Sequence, residues 1–253
     1  MANNTAQGKT LEKKGFKLPI SGNALVLLIA LVLVTAIFSA LNPNYFTYGN
    51  FINILVSSTL IGLTAIGMTF LIMTGGSDLS AGSVAAFGGV FIAWGLKNTS
   101  MNWVLLALIV TALMWVVWNK TAFGKNMFAV GSNEEAARVS GVNVMMTIIG
   151  VFMVAGALYG YTGFIEAARM GSSTATLGLN YEADAISAAV IGGVSFVGGT
   201  GRISGVVLGV FMMQLIIAGM TFLGISGNVT YIVKGAVILF AVILDMRKYM
   251  TRK

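Results

Sequence analysis

The chain has 253 residues, 57% hydrophobic and only 9% charged, with a mean hydropathy of +0.89; a soluble domain carries about 25% charged residues, so an ordinary soluble fold is excluded. With no His and no Cys, imidazole acid/base chemistry, thiol nucleophiles, disulfides and His/Cys zinc sites are all absent. The net charge of +7 is spread between apolar runs and forms no single basic face, which points to a lipid bilayer and away from nucleic acid.

A helix that crosses the hydrocarbon core needs about 20 mostly apolar residues. Eight such runs follow one another, at 24–41, 51–73, 79–96, 102–118, 144–165, 185–200, 203–224 and 229–244. They predict an all-α polytopic membrane protein with about eight transmembrane helices. The run 185–200 is short and rich in Gly and Ala, so it also fits a broken or re-entrant helix. Lys and Arg in short loops accumulate on the cytoplasmic side. Alternating the eight runs places Lys9, Lys13, Lys14, Lys17, Lys120, Lys125, Arg138, Arg202, Arg247, Lys248, Arg252 and Lys253 inside. Lys97 and Arg169 fall outside, and Lys234, about one turn inside the last run, can snorkel outward. Both termini are therefore expected in the cytoplasm, as a segment 1–19 and a tail 246–253. Between them lies one transmembrane domain, 20–245, with a cytoplasmic loop at 119–143. The first run is longer than a signal h-region and lacks a small-residue cleavage site before Asn42 and Pro43, so it is read as an uncleaved span.

In the stretch TGGSDLSAGS, Asp78 stands at the start of a run, where a carboxylate caps a helix N-terminus. The pair Gly75 and Gly76 also permits a hinge. With Ser80, and with Gln214 in the middle of its own run, these residues are candidates for a translocation path or hinge. The loop 119–143 predicts a short surface helix: Ser132 and Glu135 have capping-box spacing, Glu134 and Arg138 are an i,i+4 pair, and Gly141 offers a stop. A solvated connector and a docking helix with small Ala136 and Ala137 both fit that spacing.

The outer loop 166–184 carries Glu166, Arg169, Glu182 and Asp184, either as solvated charges or as contacts for an external protein. Gly201, Gly205 and Gly209, and upstream Gly156 and Gly160, form small-residue faces for close helix packing. No Asp or Glu lies inside any run, which counts against an ion-coupled carrier. Gly8, Lys9 and Thr10 mimic the end of a P-loop, but Asn3 replaces its first glycine and no strand precedes it. Any ATP that drives this chain is bound by a partner.

The motifs NKTAFGKNMFAVGSNEEAARVSGVNV, GGSDLSAG and ADAISAAVIGGVSFVGGTGRISGVVLGV together resemble the bacterial monosaccharide ABC-importer permeases, in particular the galactose/methyl-galactoside branch. The resemblance implies a multi-pass subunit of the bacterial inner membrane that pairs with a second copy. It further implies a cytoplasmic ATP-binding subunit, a periplasmic sugar-binding protein and a monosaccharide substrate, with no catalysis, metal or cofactor of the chain's own. The segment matching Asn133 to Val142 would contact the ATPase, which assigns coupling to Ser132, Asn133, Glu134, Glu135, Ala136, Arg138 and Gly141. Between Leu96 and Trp103 this chain has only a six-residue junction, where permeases resembling it carry about two further spans. A shortened scaffold that binds the ATPase without transporting is therefore the alternative function, with an ion-coupled secondary carrier third.

Overall fold

A computed structural model describes residues 22–93, 103–172 and 176–250. The basic N-terminal segment 1–19, Lys97, the junction between Leu96 and Trp103, and Arg252 and Lys253 lie outside them. Every regular element among the described residues is a helix: α1 Gly22–Leu41, α2 Tyr48–Met73, α3 Ala81–Ala93, α4 Trp103–Lys120, α5 Ala122–Ser132, α6 Glu134–Val139, α7 Val144–Met170, α8 Tyr181–Ile191, α9 Ile203–Phe222 and α10 Gly227–Met250.

Helices α2 and α7 form the centre. Thr64 and Thr162 meet through their hydroxyls at 3.3 Å, and the Tyr159 hydroxyl points at the sulfur of Met68 at 3.9 Å. Residue numbers that rise along α2 fall along α7, so the two are antiparallel. The α1–α2 loop and the C-terminal ends of α7 and α9 therefore lie at one end of the bundle, here called distal. The end of α2 lies at the other, proximal end with α5 and α6. Helix α1 runs along the edge, where none of its apolar stretch is buried. It packs on α9, and just beyond its distal end the Asn42 amide donates to the Phe222 carbonyl at 2.8 Å and the Tyr45 hydroxyl donates to the Leu215 carbonyl at 3.0 Å.

Glycines set the spacing elsewhere. A Cβ on Gly163 of α7 would lie 1.7 Å from the carbonyl oxygen of Ala85 in α3. Gly205 and Gly209 of α9 press on the backbones of Gly192 and Ala188, so this predicted small-residue face is used. Gly156 and Gly160 have nothing within 4 Å of where a Cβ would sit, and their face stays open.

The described residues do not confirm eight spans. Four described helices are long and apolar enough to cross a membrane: 24–41, 48–73, 144–170 and 203–222. Among the described residues a fifth span arises where 107–120 and 122–132, bent by 67°, are taken together. Of run 79–96 the described part is α3, Ala81–Ala93, and residues 94–96 lie outside the described residues. Run 185–200 yields only the end of the 11-residue α8. That helix stops because Gly193 takes a left-handed φ of 86°, letting the amides of Gly193 and Val194 bond back to the carbonyls of Val190 and Ala189. The last run, 229–244, lies within the 24-residue α10.

Candidate functional site

The proximal end carries a surface element built from successive local signals. Thr121 caps α5, its hydroxyl oxygen accepting the Gly124 amide at 3.1 Å while its hydroxyl donates to the Val117 carbonyl at 2.5 Å. The bend from α4 into α5 is tight enough that a Cβ on Gly124 would sit 2.2 Å from the Trp118 carbonyl oxygen. Trp118 packs edge-on against Phe70 of α2 and Phe128 of α5, with ring centres 4.8 and 5.4 Å apart. The bend is thereby keyed to the core, since such aromatic pairs add about 0.5–1.5 kcal/mol beyond their burial.

Helix α6 follows at once. The predicted cap moves by one residue: α5 extends through Ser132, and Asn133 accepts the Ala136 amide at 2.9 Å in extended geometry. Ser132 cannot cap α6 because it is itself the last helical residue of α5. Glu134 and Arg138 pair at 2.8 Å as expected, an exposed contact worth about 0.3–0.5 kcal/mol. Ala137 turns inward onto Val130 and Val144, while Glu135, Ala136 and Val139 face out. Gly141 ends the helix at φ 84°, with its amide on the Arg138 carbonyl and the Val142 amide on that of Ala137, both at 3.0 Å. Asn143 then caps α7 by accepting the Met146 amide at 3.0 Å. Between α6 and α7 runs a groove of about 460 Å³, lined by Glu134, Arg138, Val142, Asn143, Val144, Met145 and Ile148. Asn143 and the exposed Met145 extend the element beyond the residues that sequence reasoning selected. An Asn immediately before an apolar run was the available signal for the former.

This element is joined to the bundle by backbone. A Cβ on Gly131 would lie 1.6 Å from the Met73 carbonyl oxygen, which already accepts the Gly199 amide at 3.0 Å. Gly198 and Gly199 take φ of 98° and 69°, which seats them against Gly131 and Ser132. Three segments therefore meet without intervening side chains: the end of α2, the end of α5 and the glycine loop 192–202.

Four of the five path candidates lie around the turn after α2, and Gln214 lies apart from them in α9. Gly75, at φ 79°, and Gly76 close that helix by bonding to the carbonyls of Ile72 and Leu71. They therefore act as a helix stop. Asp78 accepts the Ser80 amide at 2.7 Å in a turn ahead of α3. The first turn of α3 uses the Ser80 carbonyl, so Ser80 holds the cap position expected for Asp78. Gln214 is buried in α9.

The four outer charges do not form one solvated loop. Helix α7 continues to Met170, and Glu166 is buried there, accepting the Tyr181 hydroxyl at 2.5 Å. Asp184 is buried and paired with Lys234, which therefore does not snorkel outward. The carboxylate of Glu182 borders Gly82, and Arg169 is exposed. The sequence could not show this because both buried acids sit at the ends of apolar runs, where solvent is the ordinary expectation. No group of three or more His, Cys, Asp or Glu side chains comes together among the described residues.

The family model described as "Branched-chain amino acid transport system / permease component" matches residues 94–242. The galactose/methyl galactoside import permease of Salmonella typhimurium is 41% identical over 233 residues, covering 91% of this chain and 69% of the relative. The corresponding Escherichia coli protein is 42% identical over 234 residues, with the same coverage. The ribose import permease of E. coli K12 is 33% identical over 298 residues, covering 87% of this chain and 93% of the relative. Because 298 exceeds the 253 residues of this chain, that relative carries residues in the matched region that this chain lacks. No solved structure matches. The chain thus belongs to the family of ABC-importer permease components, membrane subunits that are not enzymes and whose ATPase is a separate subunit.

Proposed function

We propose that this chain is the transmembrane subunit of an importer for galactose, methyl-galactoside or a similar monosaccharide, working by alternating access. The observation that carries the reading is the α5–α6–α7 element: an exposed, independently capped helix whose base is fused by backbone contacts to α2 and to the glycine loop. A cytoplasmic ATPase that pulls on α6 moves those contacts rigidly, because no flexible side chain lies between them. On this reading the proximal end is cytoplasmic and the distal end periplasmic, in a bacterial inner membrane. The partners are a second copy, the ATP-binding subunit and a periplasmic sugar-binding protein. Gly75, Gly76, Asp78, Ser80 and Gln214 border the path, and Arg169 and Glu182 face the binding protein.

Sidedness is checked with cysteines, since the chain has none of its own. A cysteine at Asn44 is expected to react with an impermeant thiol reagent on intact spheroplasts, and one at Asn133 only after permeabilisation. The opposite pattern inverts the topology.

Transport itself is tested by vesicles holding this chain, the ATPase and the binding protein. ATP-dependent galactose uptake is the expected result. The residues missing relative to the ribose permease favour a second reading, a scaffold that assembles but conducts nothing. Complex formation without ATP-dependent uptake of galactose, methyl-galactoside or ribose selects that reading, and gradient-driven uptake without ATPase rejects both.

A further inference from the structure

Asp184 of α8 and Lys234 of α10 form an ion pair inside the bundle. The ammonium lies 2.7 Å from Oδ1 and 3.0 Å from Oδ2, and the side chains are only 10% and 13% exposed. The Lys234 ammonium also lies 5.6 Å from the centre of the Tyr231 ring. A buried pair of this kind contributes little stability beyond what apolar packing of the same volume would supply. Ionisable side chains inside a membrane bundle accordingly mark functional positions.

The surroundings of the pair indicate its role. Helix α8 is short and is framed by left-handed backbone at Gly178 and Asn180 before it and at Gly193 after it. The chain can therefore change direction at both ends while the helix stays rigid. Its first turn is held twice, to α7 through Tyr181 and Glu166 and to α10 through Asp184 and Lys234. Its last turn rests on α9, where Gly205 and Gly209 press against Gly192 and Ala188. Beyond that turn, Gly199 bonds to Met73 beside Gly131, at the base of the α5–α6 element.

We propose that the Asp184–Lys234 pair is a positioning clamp that fixes the distal turn of α8. Through it, a change at the distal end reaches the glycine loop, and with it the α5–α6 element. The clamp rests on the importer reading, and both residues act by positioning α8.

The test uses the full chain reconstituted with the ATPase and the binding protein. The variants are Asp184→Asn, the double neutral D184N/K234M and the conservative Asp184→Glu. The double neutral leaves no unpaired charge, so it stays informative where Asp184→Asn fails to fold. Two quantities are read: the ratio of ATP hydrolysis with and without sugar-loaded binding protein, and hydrogen exchange of the 192–202 amides. In the double neutral, the complex is expected to co-purify, the ratio to fall about tenfold and exchange at 192–202 to rise. Asp184→Glu is expected to retain most of the ratio. A wild-type ratio in the double neutral overturns the clamp, and so does a lowered ratio with unchanged exchange, because the effect would then arise elsewhere. If the wild type itself shows no stimulation, the importer reading fails and exchange alone decides: a rise in the double neutral upholds the clamp, and no rise overturns it.

Discussion

Gly131→Ala is expected to cost most of the folded protein recovered from the membrane. The added methyl would lie 1.6 Å from the Met73 carbonyl oxygen and 2.8 Å from the Gly199 nitrogen, both backbone atoms. Over-packing a core by one methyl usually costs about 1–3 kcal/mol, because a side chain can shift. Here no side chain is available to shift, and the Met73 carbonyl is already committed to the Gly199 amide. The loss should reach or exceed about 3 kcal/mol, the top of that range, a large part of the 5–15 kcal/mol that holds a typical protein folded. The thermal midpoint and the monodisperse fraction of detergent-solubilised protein report it. Gly156→Ala is the matched control, since nothing lies within 4 Å of its added methyl. Alanine is favoured over glycine within a helix by about 0.5–1 kcal/mol, so its midpoint should stay at or above the wild-type value. A wild-type midpoint for Gly131→Ala would mean that α2, α5 and the glycine loop do not meet as described.

Gly141→Val is expected to release the ATPase while leaving the membrane bundle intact. Space is not the obstacle, because nothing lies within 4 Å of a Cβ at this position. The obstacle is the φ of 84°, which carries the two closing hydrogen bonds of α6. A left-handed residue with a side chain costs about 1–2 kcal/mol, and a β-branched one is a stronger outlier. Asparagine tolerates this region, so Gly141→Asn should retain association where Gly141→Val loses it about tenfold or more. Glu135→Lys attacks the same helix by charge: it removes a carboxylate from the first turn, worth about 0.3–1 kcal/mol to the helix N-terminus, and puts a cation there. Co-purification with the ATPase is the measurement for all three. Full recovery with Gly141→Val and Glu135→Lys would reduce α6 to a connector.

The surface helix α6 was legible in the sequence because its signals are local. Asn133 and Gly141 act within four residues of where they stand, and the Glu134–Arg138 pair spans one turn. Even there the cap fell on Asn133 instead of Ser132, because a helix that continues one residue further takes Ser132 for itself. The apolar runs identified the membrane class but not the number of crossings. The break in run 185–200 was legible from its shortness and its Gly and Ala content, whereas the left-handed Gly193 at which α8 stops was not. What Gly131, Gly163 and Gly205 pack against depends on residues far away in sequence, and a glycine carries no mark of its future neighbour. The burial of Glu166 and Asp184 was hidden for the same reason, since their partners Tyr181 and Lys234 lie 15 and 50 residues further on.

Helix α1 has a consequence for how the protein is made. Its hydrogen bond to α9 joins residues 180 apart, so at about 5–20 residues per second the first helix waits roughly 10–40 seconds for its partner to be synthesised. Throughout that interval lipid is its surroundings. A mostly apolar segment suits such a wait: its two hydroxyls, on Thr35 and Ser39, are satisfied by carbonyls of the same helix, so it can rest in lipid before its partner exists. Its docking by Asn42 and Tyr45 at one end then comes late in biogenesis, as a latch on a bundle already assembled.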